Sequence, residues 1–208
     1  LELRLLKGAG MGGTLALDMQ GEARFAPAAG SDGFGGTLVV NPVNLGLEIQ
    51  APGQAPVLGA QAVSVSADAL NALKPSRLVL GGGMRNYDGS AAQLLAGGSA
   101  NLVVRSGAIL SAPELILSGT AHGRIVVEPG ATLTTLGRGP VRMDTRSGYY
   151  LRSDGVGTLV VSNGNVNIVP PTYENATRID LGACWTADCA GVARIVSEGT
   201  TAAATNGV

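Results

Sequence analysis

The chain has 208 residues, of which 32 are glycine; 45% are hydrophobic, 14% charged and only 3% aromatic. A net charge of −1 gives no electrostatic footprint for nucleic acid or an anionic membrane. The apolar content is too high for a disordered tail, glycine does not recur at every third position as in collagen, and no apolar run of about 18 residues exists to span a bilayer.

In chain order, residues 1–6 form a strand-like run with no initiator Met, basic segment or signal core before it, so the chain reads as a piece of something longer. Gly8-Ala9-Gly10-Met11-Gly12-Gly13 has glycines at dinucleotide-loop spacing. A strand-like, glycine-interrupted stretch follows where the pyrophosphate would need a helix N-terminus, so a turn is the better reading. Short runs rich in Val, Leu and Ile then recur at 37–41, 45–50, 62–66, 77–80, 101–105, 114–118, 124–128, 131–136, 158–162, 166–169, 178–181 and 193–197. One short helix interrupts them. Ser66 caps it, Asp68 sits in its first turn, Leu70 and Leu73 are three apart, and Lys74-Pro75 stop it.

The runs repeat. Asn101–Leu110 (NLVVRSGAIL) aligns with Arg124–Leu133 (RIVVEPGATL) at an offset of 23 residues, matching Val103 to Val126, Val104 to Val127, Gly107 to Gly130 and Leu110 to Leu133. Further copies of the Leu-Val-Val phrase begin at Thr37 and Thr158. A unit of this length with two or three short strands cannot bury its own apolar face. Stacked units can, each strand pairing in parallel with its equivalent in the next turn. Gly107, Gly130 and Gly164 then fall at tight corners, where a positive φ or a close backbone approach is needed. Aliphatic ladders fill a narrow interior that large aromatics would disrupt. The expected fold is therefore all-β, a parallel β-helix (solenoid) with one short helix and inserted loops. A glycine-rich antiparallel sandwich also gives short strands, but needs more Asn-Gly hairpins than the chain offers. The expected organisation is a β-helix shaft over residues 1–198, with insertions near 83–98 and 134–157. Residues 199–208 form a Thr- and Ala-rich linker or frayed tail.

Three phrases carry a family resemblance: SADALNALKPSRLVLGG from Ser66, NLVVRSGAILSAPELILSG from Asn101, and RIVVEPGATL from Arg124. Together they resemble the shaft repeats of filamentous-haemagglutinin-type exoproteins of two-partner secretion, over about residues 62–169. The resemblance implies a right-handed β-helix and export through an outer-membrane partner pore. It also implies a secreted or cell-surface adhesin of a Gram-negative bacterium. Asn41-Pro42-Val43-Asn44-Leu45 is only a loose echo of that family's amino-terminal secretion motif, so an internal or carboxy-proximal shaft segment is expected.

Candidate chemistry is sparse. Cys184 and Cys189, in GACWTADCAG, are the only cysteines. Their spacing is not that of a CxxC redox motif, and with the single His122 they do not complete a zinc set. They read as a local disulfide in an oxidising compartment, or as two unrelated reduced thiols. Trp185, the sole tryptophan, lies inside that loop. Trp185, Tyr149 and Tyr150 fall outside the repeat and suit ligand contact; packing or capping is the alternative role. His122 in a turn makes no convincing catalytic arrangement, and the glycine-rich Asn86–Gly89 region is only one imperfect echo of a calcium β-roll repeat. At equivalent repeat positions stand Arg105, Glu128 and Ser162, which form no carboxylate ladder for sugar cleavage.

The expected function is a non-enzymatic structural and binding segment of a secreted filamentous adhesin. It would need no cofactor or metal and would attach to host-cell or matrix glycans or proteins. The full-length chain would also engage an outer-membrane secretion partner, with no nucleic-acid partner and no membrane insertion. A β-helical polysaccharide-degrading enzyme and an autotransporter passenger are the alternatives, and a compact β-sandwich carbohydrate-binding domain is a further one.

Overall fold

A computed structural model describes residues 2–6, 13–14, 36–86, 93–97, 99–120, 123–136, 149–151, 157–163, 168–169, 178–181 and 194–197. The elements are β1 (Glu2–Leu6), β2 (Gly13–Thr14), β3 (Thr37–Val43), β4 (Gly46–Gln50), a 3-10 turn (Gly59–Gln61), β5 (Ala62–Ser66), α1 (Ala67–Ala72), β6 (Arg77–Leu80), β7 (Gly82–Asn86), β8 (Gln93–Gly97) and β9 (Asn101–Val104). They continue with β10 (Ile109–Ser111), β11 (Glu114–Gly119), β12 (Arg124–Val127), β13 (Thr132–Thr135), β14 (Tyr149–Leu151), β15 (Gly157–Ser162), β16 (Ile168–Val169), β17 (Arg178–Leu181) and β18 (Arg194–Ser197). The protein is all-β with a single short α-helix among the described residues.

These strands form four open sheets. The first runs β1-β3-β6-β11-β15, the second β17-β12-β9-β4-β5-β2, the third β10-β13-β18 and the fourth β16-β14-β8-β7. From β6 onward the chain visits the first, second and third sheets in the same order three times: β6, β9, β10; then β11, β12, β13; then β15, β17, β18. The 23-residue sequence offset is a physical neighbourhood. Val103 pairs with Val126 and Leu110 with Leu133, both in parallel register.

Two other repeat copies pair differently. Thr37–Val40 resembles β9 in sequence but pairs with β6 in the first sheet, Val39 opposite Val79. The copy beginning at Thr158 runs antiparallel to β11, with Ile116 opposite Val160. The Leu-Val-Val phrase suits any strand covered on both faces, so likeness between phrases does not assign them to one sheet.

Alternation along the strands sorts the side chains. Leu38, Leu78, Leu115 and Val161 share one register row; Leu47, Leu102 and Ile125 share another. With Leu110 and Leu133 of the third sheet they form one buried cluster of Leu, Val, Ile and Ala. The opposite face of the first sheet carries a second row, Val39, Val79, Ile116 and Val160, against which Met84 of β7 packs. The fourth sheet therefore lies against the first, and both faces of the first sheet are apolar.

Turns follow local chemistry. Gly107 and Gly130 have φ of +78° and +83°, the corner conformation expected at these positions, and the Gly107 amide donates to the Gly130 carbonyl at 3.1 Å. Gly164 lies outside the described residues. Ser66 occupies the N-cap of α1 but makes no side-chain cap bond. Lys74, at φ +49°, ends the helical turn in the left-handed region, and Pro75 follows.

Helix α1 also finishes a sheet. The Asn71 side-chain amide donates to the Ile109 carbonyl at 2.7 Å, and its oxygen accepts from the Ser111 amide at 2.9 Å. One asparagine thus makes the pair of bonds that a neighbouring strand would make to β10.

Candidate functional site

The two insertions meet. Strands β7 and β8, from the first, form an antiparallel hairpin with Met84 opposite Leu95. Strand β14, from the second, adds in parallel to β8 and places Tyr149 in register with Gln93 and Tyr150 with Leu94. Strand β16 follows, with Ile168 beside Tyr149 and Val169 beside Tyr150. The two candidate tyrosines therefore stand in one sheet with the first insertion, although more than fifty residues separate Gln93 from Tyr149 in sequence. Cys184, Trp185, Cys189 and His122 lie outside the described residues.

A buried charge cluster joins the second sheet to a loop. Glu48 on β4 is fully buried, and Glu128, just after β12, is 1% exposed. Arg105, just after β9, reaches both: Nη1 donates to Glu48 Oε1 at 2.6 Å and Nε to Glu128 Oε2 at 2.9 Å. Burial opposes the Arg105 charge, but hydrogen bonds and attraction from Glu48 and Glu128 outweigh it and raise the guanidinium pKa above its ordinary value. Glu48 also accepts the Val57 amide on both oxygens, at 3.1 and 3.0 Å, and the Leu58 amide at 3.1 Å. Glu128 Oε2 accepts the Ser106 amide at 2.8 Å. Gln54 secures the other end of the loop, donating to the Ser106 carbonyl at 2.7 Å. The cluster thus clamps residues 51–61 onto the strand ends. Both Glu48 oxygens and Glu128 Oε2 are engaged by the guanidinium, by backbone amides and, at Glu48, by the Ser64 hydroxyl, an arrangement that positions the chain.

A second buried ion pair links neighbouring strands of the first sheet. Arg77 opens β6 and Glu114 opens β11; they are in register, and Arg77 Nε bonds Glu114 Oε2 at 2.5 Å.

Comparisons of the chain with protein-family models, with curated protein sequences and with solved structures find no match.

Sequence reasoning anticipated the matching positions of Arg105 and Glu128 but missed Glu48. A glutamate between Leu47 and Ile49 has the pattern of a solvated outward residue. Only the loop folded over it, whose amides need an acceptor, makes it a buried anchor. Arg77 and Glu114 carried a weak signal, each opening an aliphatic strand.

Proposed function

We propose that this chain is a shaft segment of a secreted bacterial filamentous adhesin, built as a right-handed parallel β-helix whose inserted elements make the contacts. The observation carrying this reading is the in-register parallel pairing of Asn101–Val104 with Arg124–Val127, 23 residues apart. A single chain achieves such pairing when it travels round an axis and returns one strand spacing higher. The repeated order of visits to three sheets supports the same geometry. The resemblance of residues 62–169 to filamentous-haemagglutinin shafts supports the adhesin role. Handedness, and export through an outer-membrane partner, rest on that resemblance.

In this reading the mechanism is mechanical and multivalent. A stiff rod holds weak sites at fixed spacing, and many weak contacts add through effective concentration rather than through electrostatic steering. The joined insertions, with Tyr149 and Tyr150, and the Cys184–Cys189 loop bearing Trp185 are the contact elements. The full-length protein would be displayed at the cell surface or released, and it would engage host-cell or matrix glycans or proteins.

The test is attachment. Beads coated with the chain should adhere to epithelial cells or matrix, and Trp185→Ala or Tyr150→Ala should weaken adhesion severalfold. Beads that adhere no better than albumin-coated ones would refute the adhesin role. Full adhesion by both variants would remove these loops from it.

A further inference from the structure

Beside the C-terminal end of α1, a groove of about 330 Å³ opens between the helix and the start of β11. Pro75, Pro113 and Leu136 supply its apolar walls, and Leu136 is 43% exposed. Asn71, Lys74, Ser76 and Ser111 are its polar residues. Among the described residues that line it there is no carboxylate. Among the described residues, the Lys74 ammonium has neither an ion pair nor a hydrogen bond, whereas Arg77 and Arg105 are both paired with glutamates. The Ser111 hydroxyl is likewise without a partner among the described residues. We propose that this groove binds a carboxylated sugar unit, a hexuronate of an acidic polysaccharide, with Lys74 pairing its carboxylate. The proposal rests on the adhesin reading and deepens it by naming a ligand class.

Three observations select that ligand. Lys74, the cation among the groove's described residues and without a counter-charge among them, calls for an anionic partner, and an ammonium recognises a carboxylate through short charge-assisted bonds. The volume lies at the lower end of the range for small-molecule pockets and suits one or two sugar rings rather than a folded partner. Proline and leucine walls fit the C–H face of a pyranose, while Ser111 offers a hydroxyl to its rim. An extended peptide is disfavoured for a specific reason. Peptide capture at a strand edge needs free backbone groups. Here Asn71 already occupies the Ile109 carbonyl and the Ser111 amide.

Lys74 permits a clean test, because its φ of +49° is a conformation that asparagine adopts more readily than lysine. Lys74→Asn removes the charge without opposing the backbone, so the variant should fold with an unchanged or higher Tm. Tetragalacturonate, a heparin-derived sulfated tetrasaccharide and neutral maltotetraose are titrated into the whole chain and followed by NMR shifts. The expected result is saturable binding of tetragalacturonate alone. Lys74→Asn should weaken it about tenfold, as expected for one charge-assisted bond, and added salt should weaken it further. Leu136→Ala should weaken it severalfold without altering the salt dependence. No binding of tetragalacturonate, equal binding by Lys74→Asn, equal binding of maltotetraose, or preference for the sulfated sugar would each overturn the proposal. Lys74-dependent sugar binding by a chain that fails to attach to cells supports the groove and refutes only the adhesin role. Attachment without sugar binding refutes only the groove.

Discussion

Arg105 Nε and Glu128 Oε2 lie 2.9 Å apart although the two residues are 23 positions apart in the chain. That interval is the sequence repeat itself. The second anion on the same guanidinium, Glu48, comes from 57 positions away. A single side chain therefore records both the regular pairing of β9 with β12 and the irregular loop that precedes it.

Removing that guanidinium should be expensive. Arg105→Met leaves two buried carboxylates without their cation and should destabilise the protein by about 3–5 kcal/mol in urea unfolding. Arg105→Lys should recover only part of this, since a point charge cannot meet both carboxylates as the guanidinium fork does. If Arg105→Met unfolds at the wild-type midpoint, the cluster is not a stabilising clamp.

The pH dependence follows from the raised Arg105 pKa. A basic group whose pKa is raised by folding contributes fully below its unfolded pKa, and that contribution is lost as pH rises through the folded value. Both values lie beyond the ordinary range of measurement, so Arg105 should contribute no slope to stability between about pH 7 and about pH 10. A wild-type slope there that disappears in Arg105→Met would contradict this.

Asn71→Ala should free the outer edge of β10. Two hydrogen bonds are lost, worth about 1–3 kcal/mol together. The uncovered strand edge should also promote concentration-dependent association, visible by light scattering. A variant that is less stable yet strictly monomeric at high concentration would mean that the edge is protected by something other than Asn71.

Gly53 and Gly81 offer a controlled comparison. Their φ values are +76° and +78°. A Cβ at Gly53 meets nothing within 4 Å, whereas one at Gly81 runs into the Ser118 carbonyl and the Leu102 side chain. Gly53→Ala should cost about 1 kcal/mol for the left-handed backbone alone. Gly81→Ala should cost about 3 kcal/mol or more, because overpacking adds to the same strain. Equal losses would show that the packing around Gly81 yields freely.

Ile116 tests the second apolar row. It is fully buried on the face of the first sheet that meets Met84. Ile116→Ala should cost about 2–5 kcal/mol and should raise amide exchange at residues 93–97 and 149–151 more than in the third sheet. Uniform exchange across the protein would mean that the fourth sheet is not held by this row.

Much of the local structure was legible in the residues. The helix at Ala67–Ala72 follows from Asp68 in its first turn and the Lys74-Pro75 stop, while Ser66 holds the N-cap position without the expected cap bond. The corners at Gly107 and Gly130 follow from glycine after a valine pair. The pairing of Val103 with Val126 follows from the repeat. Partnership at long range was less legible. The phrase at Thr37 could not disclose that it lies beside Arg77, nor the phrase at Thr158 that it runs antiparallel to β11. Glu48 showed the same limit, because its burial depends on the loop amides of Val57 and Leu58.

By itself the sequence determined an all-β chain of short aliphatic strands, the corners at Gly107 and Gly130 and a short helix, because backbone propensity and turn chemistry act within a few residues. Tertiary structure alone decided which strands became neighbours, that residues of two insertions share one sheet against the outer valines of another, and that Glu48, Arg105 and Glu128 form one cluster. Those outcomes rest on apolar burial and charge pairing between segments tens of residues apart. These forces depend on where the chain returns rather than on its local pattern.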